Sequence, residues 1–186
     1  MRFNKHYELE GQHAYLSPSK YHWINYDPEK FDRVFTARIA SKRGTELHDL
    51  AMRLIRLGVK LPDTAQTMNL YVNDAIGFRM EPEQPLFYSV NAFGTPDAIS
   101  FREEFLRIHD LKTGKFKASV RQLEVYAALF CLEYAIDPMD IGMEFRIYQN
   151  DEVAIYDGDP EEIKRIMDKI VDFDQRIQTL REEAWL

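Results

Sequence analysis

GTPDAISFREEFLRIHDLKTGK, residues 94–115, has the pattern of a β-hairpin. Residues 95–101 and 105–112 are rich in apolar and aromatic side chains and predict two strands, and the polar residues 102–104 predict the turn between them. A hairpin brings the start of its first strand beside the end of its second. The two ends of this stretch are therefore expected to lie together.

Three side chains at the open end of this hairpin are suited to catalysis. Asp97 follows a proline on the first strand, and Asp110 and Lys112 stand near the end of the second. Side chains alternate along a strand, so Asp110 and Lys112 share one face while Leu111 points to the other. Carboxylates with phosphate and water are the usual ligands of Mg²⁺. A lysine beside such a cation can position water or offset phosphate charge, so the group suits phosphodiester hydrolysis.

These motifs resemble those of a known nuclease family. The order Pro-Asp, then Asp-x-Lys, resembles the catalytic core of the PD-(D/E)XK nuclease superfamily. Flanking motifs are similar to those of its RecB-type branch, which includes CRISPR-associated and stand-alone phage exonucleases. The flanking motifs are Gly44-x-x-x-His48, Thr113-Gly114 and Gln122-x-x-x-Tyr126. Together the motifs cover residues 44–126, nearly half of the chain.

The resemblance implies a role for each matching residue. The implied metal ligands are His48, Asp97, Asp110 and the backbone carbonyl of Leu111. Lys112 would prepare or position the water, Gln122 would lie near that water or the lysine, and Tyr126 would pack near DNA. From the residues alone, other interpretations stay open: His48 as a solvated or capping helix histidine, and Tyr126 as a core side chain.

The implied cofactor is Mg²⁺ or Mn²⁺, and a histidine ligand favours Mn²⁺. Several RecB-type nucleases also carry an iron–sulfur cluster held by four cysteines. This chain has one cysteine, Cys131 in the apolar run AALFCLEYA, so it can supply neither that cluster nor an internal disulfide. Cys131 is expected to be a small buried side chain.

The distribution of charge bears on a DNA partner. A net charge of −7 opposes binding to phosphates in general. Residues 36–60, however, hold six Lys or Arg against two Asp or Glu, and residues 112–121 hold four against none. We interpret these segments as DNA contacts, with ordinary solvated surface as the alternative. The candidate DNA-binding residues are Lys42, Arg43, Lys115, Lys117, Arg121 and Tyr126.

The order of the predicted elements indicates one α/β domain, residues 1–186, with a mixed central sheet flanked by helices. The resemblance implies the same arrangement, a nuclease domain with the restriction-endonuclease-like core. No apolar run is long enough to span a membrane, and the N-terminus lacks a secretory signal, which indicates a cytoplasmic protein, in the host cytoplasm if phage-encoded.

The predicted elements are a loop at 25–34, helices at 36–57 and from 63 or 64 to 78, a strand at 86–93 that joins the hairpin in a three-stranded antiparallel run, a helix at 119–135, strands at 142–149 and 152–157, and a helix from 160 to about 183.

We therefore expect a metal-dependent DNA nuclease, an exonuclease rather than an endonuclease, that acts in recombination, repair or phage DNA metabolism. The sequence shows no helicase region, so a helicase or single-strand annealing partner is a further expectation, as is a homo-oligomer. Three alternatives remain: a non-catalytic DNA- or protein-binding module of the same fold, a structure-specific endonuclease, and a phage protein that hijacks or inhibits a host complex.

Overall fold

The computed structural model describes residues 14, 16, 18–114 and 118–184. The chain forms two compact units, residues 1–43 and 44–186, which are described separately. The expectation of a single domain stays a prediction. In the first unit, a 3₁₀ helix spans Pro18–Asn25, and residues 28–43 form the first part of helix α1, Pro28–Leu57.

The start of α1 corrects the prediction of a loop at residues 25–34. Pro28 occupies the first helical position, where the missing N–H of proline costs no hydrogen bond. Asp27 precedes it and its Oδ1 accepts a bond of 2.7 Å from the Lys30 backbone N–H. The Asp-Pro pair therefore begins a helix here rather than breaking one.

The second unit contains one five-stranded sheet, one two-stranded sheet and the helices around them. The large sheet has the order β1-β4-β5-β6-β7, with β5 and β6 parallel and every other neighbour antiparallel. The prediction of an α/β fold with a mixed sheet flanked by helices is confirmed. The elements that follow α1 are α2 (Thr67–Gly77), β1 (Glu81–Pro82), β2 (Leu86–Ser89), β3 (Ala92–Gly94), β4 (Ala98–Arg102), β5 (Phe105–Leu111), α3 (Arg121–Tyr134), β6 (Gly142–Gln149), β7 (Glu152–Asp157) and α4 (Pro160–Ala184).

The central hairpin consists of β4 and β5, as predicted. Its two-residue turn is Glu103-Glu104, and both residues have positive φ, 51° and 58°, as the tightest hairpin turns require. At the open end, the last antiparallel pair is Ala98 with His109. Asp97 and Asp110 directly follow this pair, so the register alone brings the two carboxylates to the same end of the hairpin.

The prediction that residues 86–93 join the hairpin is wrong. Strands β2 and β3 form their own antiparallel pair, and the partner of β4 on that side is the short strand β1. Hydrogen bonds of polar side chains turn the chain between β2 and β3. Ser89 Oγ accepts from the Asn91 backbone N–H, and Asp174 Oδ1 on α4 accepts from both Ser89 Oγ and Asn91 Nδ2.

Two helix starts also differ from the predictions. Helix α2 begins at Thr67 and not at Asp63 or Thr64, because Thr64 Oγ1 accepts a bond from the Asn69 side chain instead of capping. Helix α3 begins at Arg121, two residues later than predicted. Strands β6 and β7 have the predicted bounds, and Asp159 caps α4 as predicted, accepting from the Glu161 N–H at 3.0 Å.

The large sheet has an apolar core on each face. One core joins β4, β5 and β6 to α3 and α4, and the other joins the sheet to α2 and the second-unit part of α1. Cys131 lies in the first core, fully buried as expected, and burial raises the pKa of its thiol to about 11. Among the described residues, no helix has the length and apolar character to cross a bilayer.

Candidate metal centre

His48 on α1 and Asp97 before β4 lie side by side, as the motifs imply. His48 Nδ1 is 3.2 Å from Asp97 Oδ1. Gly44, one helical turn before His48, faces Thr113, and a Cβ at Gly44 would be 2.8 Å from Thr113 Oγ1. The small residue in Gly44-x-x-x-His48 therefore permits close contact between α1 and the end of the hairpin.

The second oxygen of Asp97 is bound to the neighbouring strand. Asp97 Oδ2 accepts a 2.7 Å hydrogen bond from the backbone N–H of Leu111. Asp97 Oδ1 is thereby directed toward His48, while the Leu111 side chain is buried in the core on the α2 side of the sheet. Ligation by the Leu111 carbonyl stays a prediction.

Glu83 is a third member of this cluster, and the sequence analysis missed it. His48, Glu83 and Asp97 each offer a ligand atom, and these atoms lie within 4.8 Å of one another. Glu83 directly follows β1, and its backbone N–H donates to the Asp97 carbonyl at 3.1 Å. Its φ of 54° is one that residues other than glycine adopt at a cost of about 1–2 kcal/mol. The sequence feature that could have indicated this role is the position of a charged residue between two prolines.

Asp110 is almost fully buried beside this cluster, with 3% exposure. Its Oδ1 lies 3.0 Å from Lys112 Nζ, whereas its Oδ2 is buried and has no hydrogen-bond partner among the described residues. A buried carboxylate oxygen without a partner is costly. A divalent cation would satisfy it. The closely spaced group is His48, Glu83 and Asp97, and Asp110 lies outside that group of three. An imidazole and carboxylates are nevertheless ligands that fit the metal that the resemblance implies.

The pKa values are consistent with a concentration of negative charge. Burial, and next the charge of Asp97, raise the pKa of Glu83 and the pKa of Asp110. The hydrogen bond to Asp97 raises the pKa of His48 against the opposing effect of burial. The carboxylates are therefore poorly compensated at neutral pH, and a cation among them would relieve their repulsion.

Lys112 is held in place by a chain of side chains on α3. Its Nζ donates to Gln122 Oε1 at 3.0 Å, and Gln122 Nε2 donates to the Tyr126 hydroxyl at 3.1 Å. The Tyr126 ring packs against Gly94, where a Cβ would be 2.9 Å from Tyr126 Cε1. Gln122 is exposed, and both of its amide atoms have partners. The amine of Lys112 is thus fixed between Asp110 and Gln122.

The candidate DNA-binding residues receive uneven support. Arg121 is exposed at the start of α3, and its NH1 already pairs with Glu124 at 2.8 Å and with Glu162. Lys42 and Arg43 are exposed residues of α1 in the first unit. Lys115 and Lys117 lie outside the described residues.

Comparison of the chain with protein-family models, with curated proteins and with solved structures finds no match. The resemblance to the RecB-type nucleases therefore depends on the motifs alone, and the site is interpreted from its own geometry.

Proposed function

We propose that this protein is a metal-dependent deoxyribonuclease that hydrolyses phosphodiester bonds. One observation carries the proposal: Asp110 has a buried oxygen with no hydrogen-bond partner in the part of the chain that the structure describes, next to an amine that Gln122 holds in place. An acid that served only to form an ion pair with Lys112 would not need its second oxygen to be buried without a hydrogen-bond partner.

The metal would be held by side chains from three separate segments. His48 comes from α1, Glu83 follows β1, and Asp97 lies at the open end of the hairpin, with ligand atoms within 4.8 Å of one another. Asp110, at the same end of the hairpin, is outside that group and is added here as a fourth ligand. Glu83 is added here to the ligands that the resemblance implies. Mn²⁺ suits a mixed set of one imidazole and several carboxylates at least as well as Mg²⁺ does. When bound, such an ion would offset charge on the scissile phosphate and help to ionise a water molecule.

Lys112 would act on the water or on the phosphate. Its Nζ is 3.0 Å from Asp110 and 3.0 Å from Gln122, and its side chain is 31% exposed, so it can reach a substrate from a fixed position. Gln122 is a positioning residue in this scheme, because its amide contacts the lysine and Tyr126. The mechanism predicts that loss of Lys112 lowers the rate of hydrolysis more than it lowers DNA affinity.

We propose exonuclease action, in a cytoplasmic setting, on DNA in recombination, repair or phage metabolism. A helicase or annealing partner and a homo-oligomer belong to the same proposal. The alternatives are a structure-specific endonuclease and a non-catalytic module of the same fold. The presence of both acids, the lysine and an unsatisfied carboxylate oxygen favours catalysis over the latter.

Incubation of end-labelled linear DNA and covalently closed circular DNA with Mg²⁺ or Mn²⁺ tests the proposal. We expect cleavage of the linear DNA only, loss of cleavage in EDTA, and loss in Lys112→Ala. Lys169→Ala, an exposed lysine on α4, is the matched control and should cleave normally. Cleavage that persists in EDTA would refute the metal mechanism, and cleavage of the circle would identify an endonuclease.

A further inference from the structure

A cleft of about 520 Å³ lies at the turn end of the central hairpin, and three arginines line it. Arg79 follows α2, Arg102 ends β4, and Arg107 is on β5. The cleft contains one acidic lining residue, Glu103. The cleft thus has a local excess of positive charge in a chain of net charge −7, which favours an anionic ligand.

Two of these arginines have no carboxylate partner among the described residues. Arg102 donates only to the backbone carbonyl of Arg79, at 3.3 Å, and Arg79 has no described ion pair. Both side chains are exposed. Their guanidinium groups are therefore free to bind the oxygens of a ligand, and phosphate is the anion that such planar donors bind in a bidentate manner.

The third arginine is held in place by aromatic rings. The Arg107 guanidinium lies 4.8 Å from the ring centroid of Phe78 and 4.3 Å from that of Phe105. Its Nε lies 3.5 Å from Glu144 Oε1 without forming a hydrogen bond, since Glu144 Oε1 accepts from Arg146 Nε at 2.9 Å. Arg107 thus presents a positioned charge that its nearest carboxylate only partly offsets.

The backbone at Arg79 is unusual for this residue type. The N–H groups of Arg79 and Met80 bond to the carbonyls of Ile76 and Ala75, which is the hydrogen-bond pattern that ends many helices. Glycine is favoured at the position that Arg79 occupies, and Arg79 has a φ of 53°. The exposed Arg79 side chain lines the cleft, and glycine at this position would remove its charge while suiting the backbone.

The cleft is separate from the candidate metal centre. Arg107 and Asp110 are three residues apart on β5, so they project from opposite faces of the sheet and are about 10 Å apart along the strand. Arg107 faces α2 together with His109, whereas Asp110 faces α3. Ligand binding at the cleft therefore needs neither the metal nor the catalytic residues.

We propose that this cleft binds a phosphate-bearing ligand of nucleotide size through Arg79, Arg102 and Arg107. Arg107 lies over the rings of Phe78 and Phe105, and Arg146 also lies over Phe78, so recognition is of the phosphate and not of a stacked base. Two sources share this chemistry, a free mononucleotide and the backbone of a single strand. This inference does not depend on the proposed hydrolysis.

Arg79→Gly, Arg102→Gln and the double variant test the inference, with Arg176→Gln, an exposed arginine on α4, as the matched control. Binding of a fluorescent 5′-mononucleotide and of a labelled single-stranded oligodeoxynucleotide is measured by anisotropy in EDTA. We expect the double variant to bind about tenfold more weakly or worse, and Arg176→Gln to bind normally. For the oligonucleotide, the slope of log affinity against log salt should fall by about 1.4 in the double variant.

Arg79→Gly is not expected to misfold, because glycine suits the local backbone conformation. This variant should unfold at the same temperature as wild type or at a higher one. Loss of binding to both probes identifies a nucleotide site, and loss with the oligonucleotide alone identifies a strand contact. The inference is overturned if wild type binds neither probe, if the double variant binds as wild type does, or if Arg176→Gln loses as much affinity.

Discussion

Replacement of Glu83 by glutamine tests the candidate metal centre most directly, because it should change stability in opposite directions with and without metal. Without metal, burial and the charge of Asp97 raise the pKa of Glu83, so its ionised form is held at a cost. Glutamine has no charge to bury. In EDTA, Glu83→Gln should therefore unfold at the same temperature as wild type or at a higher one.

With Mn²⁺, wild type should instead unfold at a higher temperature than Glu83→Gln. A ligand that binds only the folded state at a hundredfold excess over its Kd stabilises it by about 2.7 kcal/mol. For a chain of this size that corresponds to a rise in Tm of about 5–11 °C. If loss of Glu83 weakens Mn²⁺ binding about a hundredfold, the gain at the same concentration falls to about 0.4 kcal/mol, or about 1–2 °C.

Thermal unfolding followed by circular dichroism, in EDTA and across a Mn²⁺ titration, measures both effects. Glu81→Gln is the matched control, since Glu81 is an exposed glutamate two residues away in the same segment. It should show the wild-type rise. An equal rise in Tm with Mn²⁺ in wild type and in Glu83→Gln would show that Glu83 is not a ligand. No rise in Tm in wild type would refute the metal site itself.

Three further predictions follow from the same structure. Asp97 raises the pKa of His48 in the folded protein. The pair should therefore stabilise the metal-free protein fully below about pH 6.5, and this contribution should be lost as pH rises through the folded pKa. The affinity for Mn²⁺, measured by calorimetry, should rise over the same pH interval because His48 loses its proton. Gly44→Ala should lower the free energy of unfolding by about 1–3 kcal/mol because its Cβ meets Thr113 Oγ1. The double variant Gly44→Ala/Thr113→Ala should recover most of this loss, as measured by urea unfolding. Glu104→Gly should raise the same free energy by about 1 kcal/mol, since residue 104 has a φ of 58°; no change in the urea midpoint would contradict this account of the turn.

Much of the fold could be predicted because its determinants are local. The central hairpin, the β6–β7 hairpin and the start of α4 each have a turn or cap within a few residues of the pattern that predicts them. The placement of Asp97 beside Asp110 also follows from hairpin register. The pairing of Lys112 with Gln122 was implied by the motif resemblance, not by the residues themselves, because ten positions and a change from strand to helix separate the two.

Other parts depend on contacts that a local pattern does not contain. Glu83 reaches the metal centre through β1, which has only two residues and so no periodicity to detect. The separation of β2 and β3 from the large sheet depends on Asp174, which is 83 positions from Asn91. Both of these features depend on long-range contacts made by polar side chains, whereas the missed start of α1 depends on a local contact, from the Lys30 N–H to Asp27.

The charge of the candidate metal centre would also set an order of binding. His48 is the basic member of the group that it forms with Glu83 and Asp97, and the nearby Asp110 adds a carboxylate whose charge Lys112 offsets only in part. A phosphodiester would be repelled by this cluster until a divalent ion had bound. DNA affinity at the centre should therefore depend on metal, whereas binding at the arginine cleft should persist in EDTA. If removal of metal abolished all DNA binding by wild type, the cleft could not be an independent site, because its arginines remain charged under either condition.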